Sequence, residues 1–351
     1  MKTLVLKVDP VSPDLRKIRL AAGFIKKSGL VAFPTETVYG LGADALDAKA
    51  VLAVFKAKKR PLDNPPIVHV STADDVRRLV DEFPLKANFL IRKFWPGPLT
   101  LIFKRSRIVP DVTVAGLDTI AVRMPRHNVA LALIKQSNCP IAAPSANLSG
   151  KPSPTTPKHV LEDLNGRIDA ILDAGPTVIG VESTVLDLTV DPPEILRPGG
   201  ITFEALKATL GKVELNPAVT AQEPIALGRA RSPGVLHKHY APNADVVLIE
   251  GKSTAVIEKI KELTRQYMRE DSRVGVLCAS ETQEQIKAGI VKTFGRRNDL
   301  ESIARNLFRL LREFDSEGAD VILVEGLSTE GLGLAIMNRL RKAAGYKIVK
   351  A

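Results

Sequence analysis

Short apolar runs alternate with amphipathic segments along most of the 351-residue chain. In the amphipathic segments, such as DLRKIRLAAGFIKKSG at 14–29, apolar residues recur at a spacing of three or four, which is the period of a helix. The apolar runs between them, such as LVAF at 30–33, have the length of buried strands. This alternation predicts an α/β fold.

One long stretch, from Asn216 to Ala244, has no sustained period and is rich in Pro, Gly and Ala. A stretch of this kind inside a compact fold is usually a functional lid or a linker. We therefore predict a first domain at 1–213, a linker at 214–244 and a second domain at 245–351. Irregular interleaving predicts a twisted mixed sheet in the first domain. Strands separated by helices predict a smaller, Rossmann-like parallel sheet in the second.

The formal net charge of +11 and the pI of about 9.6 favour anionic partners such as nucleotides or RNA, although a basic surface can also simply aid solubility. No uncharged apolar run reaches the ~18 residues of a membrane span. The N-terminus lacks the apolar segment of a signal peptide. We expect a cytoplasmic protein in which Cys139 and Cys278 are free thiols.

Familiar catalytic motifs are missing from the sequence. It contains no P-loop, no H-E-x-x-H, no paired C-x-x-C and no G-x-S-x-G, and its five histidines have no spacing typical of a metal site. The candidates for chemistry are therefore clusters of polar residues at strand ends and turns of the first domain.

The first cluster is FPTETVYGLG at 33–42, which follows the LVAF strand. Thr35 and Thr37 share a face if the segment stays extended, and their hydroxyls can then bind a small polar ligand. Gly40 and Gly42, taken as the end of a turn, allow close approach to the backbone. A polar turn with capping hydroxyls is the alternative.

The second cluster places cations at a helix end. Lys58 and Arg60 close a predicted helix, and Asn64 follows them in KAKKRPLDNPP. Such cations can clamp phosphates, because Arg offers a planar fork and Lys a point charge. Cations also interact favourably with any helix C-terminus, so a solvated basic turn is an open alternative.

A third cluster centres on Arg123, which lies in the otherwise apolar strand TIAVRM. Burying an unpaired guanidinium costs several kcal/mol, so an inward-facing Arg needs an anion. A ligand carboxylate and an internal Asp or Glu both satisfy this requirement, and the sequence does not choose between them.

The remaining clusters are rich in small hydroxyls. Ser145, Asn147 and Ser153 belong to PSANLSGKPS, a turn whose backbone N–H groups can form an anion-binding nest. Ser183 begins a strand in GVESTV, and Arg197 precedes a tight turn in LRPGG.

Taken in order, these clusters resemble the YrdC-domain family of threonylcarbamoyl-AMP synthases. The matching pieces are FPTETVYGLG, Lys58-x-Arg60 with Asn64, WPGPLT, GLDTIAVRMP, PSANLSG, GVESTV and LRPG. SPGVLHKHYAP at 232–242 and GLGLAIMNRLRKAAG at 331–345 resemble the long, two-domain form. The resemblance implies a YrdC-like first domain with a basic concave groove.

The resemblance also implies a reaction. Such nucleotidyltransferases join L-threonine, bicarbonate or CO2, and ATP into threonylcarbamoyl-AMP and release pyrophosphate. A separate downstream transferase then passes the threonylcarbamoyl group to an adenosine of certain tRNAs. Mg2+ is expected with the triphosphate, bound chiefly through phosphate oxygens and water rather than a protein site. No covalent nucleophile is expected.

Matching residues to motifs gives expected roles. The threonine pocket would comprise Thr35, Thr37, His69, Arg123 and Ser183, with Arg123 on the substrate carboxylate. The ATP side would comprise Lys58, Arg60, Asn64, Thr119, Ala143 through its backbone, Ser145, Asn147, Ser153 and Arg197.

The linker departs from the family pattern. His239 and Tyr240 would belong to a flap over the active site, but Val235, Leu236 and His237 stand where the family usually has Met, Arg or Lys, and Tyr. A tether packed across both domains is the alternative to a flap.

Two other functions are considered. A binding module for double-stranded RNA or tRNA would need only spaced cations, without a hydroxyl pocket. Carbamoyl transfer from carbamoyl phosphate uses a related domain, but those enzymes carry zinc-finger cysteines, whereas this chain has only two cysteines.

Overall fold

The computed structural model describes residues 2–223 and 239–351, which form two compact units. The first contains 2–149 and 153–219. The second contains 239–351 together with the short segments 150–152 and 220–223. Each unit is built on one sheet with helices, so the predicted α/β class is confirmed. The domain boundaries at 213 and 245 stay predictions, and residues 224–238 of the expected linker lie outside the described residues.

The first unit contains an eleven-stranded sheet in the order β1-β8-β2-β3-β7-β4-β6-β5-β9-β10-β11. The strands are β1 (Leu4–Lys7), β2 (Val31–Pro34), β3 (Tyr39–Asp44), β4 (Val68–His69), β5 (Leu99–Lys104), β6 (Thr119–Arg123), β7 (Ile141–Ala142), β8 (Ala170–Asp173), β9 (Thr184–Asp187), β10 (Glu194–Arg197) and β11 (Glu214–Leu215). The sheet contains both parallel pairs such as β4–β6 and antiparallel pairs such as β5–β6, which confirms the predicted mixed sheet.

Helices cover both faces of this sheet. They are α1 (Leu15–Ile25), α2 (Ala48–Lys58), α3 (Ala73–Leu79), α4 (Leu85–Phe94), α5 (Asn128–Ser137), α6 (Pro157–Leu164), α7 (Phe203–Leu210) and α8 (Pro217–Thr220). α1 and α5 pack with Val31 and Phe33, while α2 and α6 pack with Ala32 on the other face. β2 is therefore buried on both sides, which explains why its sequence is continuously apolar.

The glycines of FPTETVYGLG lie inside a strand rather than at the end of a turn. The turn is at Thr35–Val38, and Gly40 and Gly42 belong to β3, which pairs antiparallel with β2. A Cβ atom at Gly42 would lie 2.8 Å from the Phe33 ring and 2.7 Å from the Ile141 side chain. The close approach that these glycines permit is therefore that of the Phe33 ring. The extended backbone under which Thr35 and Thr37 would share a face is not formed, because residues 36–38 bend.

The second unit has a five-stranded sheet in the order β14-β13-β15-β12-β16, and every adjacent pair is parallel, as predicted. Its strands are β12 (Asp245–Glu250), β13 (Val274–Cys278), β14 (Ile290–Thr293), β15 (Val321–Glu325) and β16 (Ile348–Lys350), and its helices are α9 (Ser253–Arg269), α10 (Leu300–Ser316) and α11 (Gly333–Ala343).

The sequence of the second unit also predicts a short helix at 282–289, and this prediction is wrong. The segment TQEQIKAG at 282–289 forms only a 3-10 turn at Gln283–Gln285, and β14 follows it. A segment this short gains few hydrogen bonds for the cost of nucleating a helix, so the neighbouring strand decides its conformation.

Both cysteines are free, as expected from the sequence. Burial raises the pKa of each thiol to about 12, so the thiolate is scarce at neutral pH. In the ranges 2–223 and 239–351, no helix has the length and apolar character needed to cross a membrane.

We predict opposite effects for two Gly→Ala substitutions. Gly42→Ala should lower the free energy of unfolding by ~1–3 kcal/mol, because the new methyl meets Phe33 and Ile141. Gly23→Ala is the matched control. It lies inside α1 with no atom within 4 Å of the added Cβ, and should be stabilising by ~0.5–1 kcal/mol. Urea denaturation followed by circular dichroism measures both. Equal effects would show that Gly42 is not packed as described.

Candidate functional site

The turn between β2 and β3 brings two hydroxyls together. Thr35 Oγ1 and Thr37 Oγ1 are 2.8 Å apart, and Thr35 Oγ1 donates to the Val38 carbonyl at 2.7 Å. Thr35 Oγ1 also accepts the Thr37 N–H at 3.1 Å, which fixes the turn. Both side chains are buried. The hydroxyls thus meet through the turn, although the segment is not extended.

Arg123, at the end of β6, points into the same place. Its Nη1 donates to Thr37 Oγ1 at 3.0 Å and its Nε donates to the Gly97 carbonyl at 3.2 Å. Its Nη2 lies 2.7 Å from Glu36 Oε2, and both side chains are about 5% exposed or less. The internal carboxylate that the sequence left open therefore exists, and it is Glu36.

The Glu36–Arg123 pair is close but poorly aligned. The contact is an ion pair without hydrogen-bond geometry, so both Glu36 carboxylate oxygens and Arg123 Nη2 make no hydrogen bond within the described ranges. Buried polar atoms in this condition are rare in proteins and usually meet a ligand or water. The pair is therefore a place where a charged ligand can add contacts.

His69 borders this pair through the sheet. β4 places His69 beside Arg123 on β6, and its Nδ1 lies 3.2 Å from the Ile67 carbonyl. The Phe33 ring meets it edge-on, with centroids 6.0 Å apart. Burial, and then the charge of Arg123, lowers the pKa of His69 to about 3, so the imidazole is neutral at physiological pH.

Ser183 and Arg197 form a second hydrogen-bonded group. Ser183 Oγ lies 2.8 Å from Thr100 Oγ1, and Arg197 donates to the Ser183 carbonyl through Nε and to Ser183 Oγ through Nη2, each at 3.1 Å. Arg197 lies at the end of β10, and Ser183 directly precedes β9. The group joins the Arg123 pocket through WPGPLT, because the Pro98 carbonyl accepts from the N–H of Thr184 and Gly97 holds Arg123.

Lys58, the last residue of α2, supports the PSANLSG loop. Its ammonium donates to the carbonyls of Ser145 and Asn147, and its own carbonyl accepts the Ser149 N–H at 2.9 Å. Burial, and then the charge of Arg60, lowers the pKa of Lys58 well below its ordinary value. Two of its three donors are used by the loop, and the side chain is buried.

Arg60 shapes the loop that follows α2. Its Nε donates to the Asn64 carbonyl at 2.9 Å, and its Nη2 donates to Asn64 Oδ1 at 2.7 Å and to the Pro65 carbonyl at 3.3 Å. Arg60 and Asn64 are buried, so the basic turn expected as a solvated alternative is not exposed here.

Three expected ATP residues lie in different settings. Ser153 donates to Glu182 of GVESTV, and the Ala143 N–H donates to the Ile67 carbonyl at 2.8 Å. Thr119 begins β6 and so lies about 13 Å along the strand from Arg123, at ~3.3 Å per residue. The structure does not bring Thr119 to the end of β6 where Arg123 meets the threonine hydroxyls.

The two sets of residues are neighbours in the backbone. The Tyr39 carbonyl accepts the Ala146 N–H at 2.8 Å, and Gly40 forms a β-bridge with Ser145. These contacts hold the PSANLSG loop against β3. The Glu36 and Thr37 carbonyls accept from the N–H groups of Ile179 and Gly180, just before GVESTV. The β2–β3 turn is thus the common border of the expected threonine and nucleotide sides.

The expected flap residues are described only within the second unit. The Tyr240 ring stacks on Phe308 with centroids 5.3 Å apart, and the Arg339 guanidinium lies 5.3 Å from the same ring. The His239 ring lies 5.0 Å from it. A flap over the active site stays a prediction, and its unusual residues Val235, Leu236 and His237 lie outside the described residues.

The part of the chain that the structure describes has no group of three His, Cys, Asp or Glu side chains able to hold a metal. The buried carboxylates of Glu36 and Glu182 lie against Arg123 and Ser153. These residues do not form a dedicated Mg2+ cage in the described ranges, and the expectation that phosphate oxygens and water supply most of the ligands stays a prediction.

Sequence reasoning assigned no role to Glu36. The sequence does contain a signal for it, because Glu36 lies between two threonines just after a buried strand. A carboxylate buried at such a position is costly without a partner, so a partner should be sought. The partner Arg123 is far away in sequence, so the pair emerges only from the alignment of β2, β3 and β6.

The first unit is thus a mixed α/β sheet that buries a hydroxyl-lined ion pair beside loops supported by Lys58 and Arg60. The comparisons make the class specific. A family described as telomere recombination, which includes the YrdC and YciO proteins, matches residues 23–199. The family described as threonylcarbamoyl-AMP synthase, C-terminal domain, matches residues 201–345.

Relatives of known sequence align with nearly the whole chain. The threonylcarbamoyl-AMP synthase of Pyrococcus abyssi is 51% identical over 95% of this chain and 96% of its own. That of Bacillus subtilis is 47% identical over 97% of each chain. The crystal structure of P. abyssi Sua5 complexed with L-threonine superposes with a TM-score of 0.94, at 50% identity, over 99% of this chain and all of that one. The chain belongs to the threonylcarbamoyl-AMP synthase family, whose members are nucleotidyl-transfer enzymes.

We predict that His69 makes the protein acid-sensitive. Its pKa is about 3 when folded and ordinarily 6.5, so below pH 6.5 the unfolded chain binds the proton first and the free energy of unfolding falls. Between pH 7 and pH 5 this loss is about 2 kcal/mol. His69→Gln should lose correspondingly less on acidification, as measured by urea denaturation at both pH values. Identical losses in the variant and the wild type would contradict the description of His69.

Proposed function

We propose that the protein synthesises L-threonylcarbamoyl-AMP from L-threonine, bicarbonate or CO2, and ATP, and releases pyrophosphate. The observation that carries this proposal is the buried Arg123 guanidinium, held next to the Thr35 and Thr37 hydroxyls. This arrangement suits a small amino acid with a carboxylate and a side-chain hydroxyl. The similarity to an enzyme crystallised with L-threonine supports the same substrate.

The residues divide between two substrates. Threonine is bound by Thr35, Thr37, His69, Arg123 and Ser183. ATP is bound by Lys58, Arg60, Asn64, Ala143, Ser145, Asn147, Ser153 and Arg197, while Thr119 lies farther along β6. The β2–β3 turn borders both sets, so the two ligands meet there.

The chemistry requires no covalent nucleophile. The threonine amine captures CO2 as a carbamate, and a carbamate oxygen attacks the α-phosphate of ATP while pyrophosphate leaves. Two anions must approach each other, so the main tasks of the site are to neutralise charge and to align the reactants. Lys58, Arg60 and Arg197 supply positive charge, and the loop backbone and hydroxyls supply oriented dipoles.

Mg2+ accompanies the triphosphate in this proposal and supplies further neutralisation of the phosphate charge when bound. The chain offers no cluster of carboxylates for it in the described ranges, so its ligands are phosphate oxygens and water.

The product serves tRNA modification through a downstream transferase that moves the threonylcarbamoyl group to adenosine. In this proposal the protein acts in the cytoplasm, where we expect that step to take place. Because members of this family are nucleotidyl-transfer enzymes, we prefer this function to a non-catalytic RNA-binding module. For the same reason we prefer it to carbamoyl transfer from carbamoyl phosphate. Direct contact with RNA remains compatible with the net charge of +11.

The first experiment is pyrophosphate release from ATP in the presence of Mg2+ and bicarbonate. Release should depend on L-threonine, and L-serine should be used much less well because it lacks the methyl group that fills the pocket. A methyl group buried in an apolar environment is worth ~1 kcal/mol, so we expect roughly 5-fold or greater discrimination. Threonine-independent release from a folded protein would contradict the proposal.

Two Arg→Lys variants should separate the substrates. Arg123→Lys keeps the charge but loses the fork that reaches Thr37 and Gly97, so the KM for threonine should rise ~10-fold or more while that for ATP changes little. Arg60→Lys loses the fork that holds Asn64, so the KM for ATP should rise instead. Steady-state kinetics in both substrates distinguishes them. Equal changes in both KM values for either variant would contradict the division of roles.

A further inference from the structure

Glu36 is a buried carboxylate in the pocket for which the residue assignments above have no use. It is 4% exposed, and neither of its carboxylate oxygens makes a hydrogen bond within the described ranges. Nη2 of its ion-pair partner Arg123 also makes no hydrogen bond there, although Nε and Nη1 of Arg123 do. A positive and a negative group thus lie 2.7 Å apart in the pocket, and each has unused hydrogen-bonding capacity.

We propose that Glu36 binds the ammonium group of the amino-acid substrate and accepts the proton that the amine must lose before it reacts. This inference rests on the proposed function and adds a residue to it. Arg123 and Glu36 are then the two halves of a receptor for a zwitterion, with the guanidinium directed to the carboxylate and the carboxylate of Glu36 directed to the ammonium.

When the zwitterion binds, Arg123 and Glu36 exchange each other for its carboxylate and its ammonium group. This exchange of partners explains how a charged ligand can enter a buried site. Desolvating a charge costs several kcal/mol, and for Glu36 and Arg123 that cost is met when the protein folds. An entering zwitterion adds one positive and one negative group, so the pocket stays neutral overall. Each protein charge gains a well-oriented partner in place of a misaligned one, which makes binding favourable.

Neighbouring groups are poorly suited to the ammonium. His69 is neutral and lies 3.2 Å from the Ile67 carbonyl through Nδ1. The Thr35 and Thr37 hydroxyls are engaged with each other and with Val38 and Arg123. Glu182 accepts from Ser153 on the nucleotide side. Glu36 is the carboxylate that contacts Arg123, and a substrate carboxylate on Arg123 brings its own ammonium close to Glu36.

The same residue fits the chemistry of the first step. The ammonium transfers one proton to Glu36, which gives a neutral amine and a protonated carboxyl. The amine lone pair then forms the C–N bond to CO2, and the second amine proton leaves to water to give the carbamate. Glu36 in its protonated form is neutral, so it does not repel the new carbamate anion and can donate a hydrogen bond to it.

The first test needs only the wild-type protein and two ligands. L-Threonine is compared by calorimetry with the 2,3-dihydroxybutanoate of the same stereochemistry, in which a hydroxyl replaces the ammonium. Threonine should bind at least ~30-fold more tightly, because loss of one partner of a buried charge pair is costly. Equal affinity within about threefold would overturn the role of Glu36 and leave the proposed function intact. No binding of threonine at all would overturn both.

Glu36→Gln then assigns the preference to this residue. The variant keeps the shape but loses the charge, so it should lose most of the preference for threonine while its affinity for the dihydroxy analogue changes less than about threefold. At saturating threonine its turnover should fall ~100-fold or more, the size of a general-base contribution. A residue that only neutralised Arg123 would change the affinity for both ligands alike and leave the preference for threonine intact, which would overturn the inference, as would unchanged turnover.

Asp187→Asn is the matched control. Asp187 is also a buried carboxylate of the first sheet, 1% exposed, but its side chain accepts from Thr189 at the far end of β9. It should keep the ligand preference and the turnover of the wild type. If Glu36→Gln does not fold, Glu36→Asp keeps the charge on a shorter arm and should retain a preference of at least about fivefold, whereas loss of all preference in that charged variant would overturn the inference.

Discussion

The buried pair of Glu36 and Arg123 sets the conditions for the rest of the first unit. Two charges taken out of water add little to stability, and removing either partner costs about 3–5 kcal/mol. The chain therefore has to hold both groups. β6 ends at Arg123, the β2–β3 turn presents Glu36, and the Gly97 carbonyl and the Thr37 hydroxyl accept from the guanidinium. The pocket is thus organised before any substrate enters it.

Much of the fold follows from local pattern, and the failures have a common cause. Continuously apolar β2 and amphipathic α1 and α10 are visible in the sequence because burial alone determines them. β3 is not visible, because Gly40 and Gly42 have low strand propensity and are typical of turns. It is a strand because β2 and β7 pair with it and because the Phe33 ring needs the space above Gly42. Here tertiary contacts outweigh local preference.

The site likewise has features that local sequence predicts and features that it does not. That Arg123 required an anion followed from the cost of burying a guanidinium, and this part could be predicted. The identity of the anion could not, since the turn containing Thr37 lies 86 positions from Arg123 in sequence. Lys58 is a similar case: its position at a helix end is local information, but its bonds to the carbonyls of Ser145 and Asn147 join segments nearly ninety residues apart. Motif order predicted which loops matter, while the contacts between them required the sheet.

The two sides of the site differ in charge balance, and this difference sorts the substrates of the proposed reaction. On the threonine side a carboxylate accompanies the guanidinium, so a ligand with no net charge fits best. On the proposed nucleotide side Lys58 donates to two carbonyls, and Arg60 adds a second positive charge near it while Asp163 adds one negative charge. A polyphosphate therefore gains more from the Lys58 loop than from the Arg123 pocket, and a zwitterion gains more from the pocket. In the proposed reaction each ligand takes its own side, and the amine and the α-phosphate meet at the β2–β3 turn, which borders both.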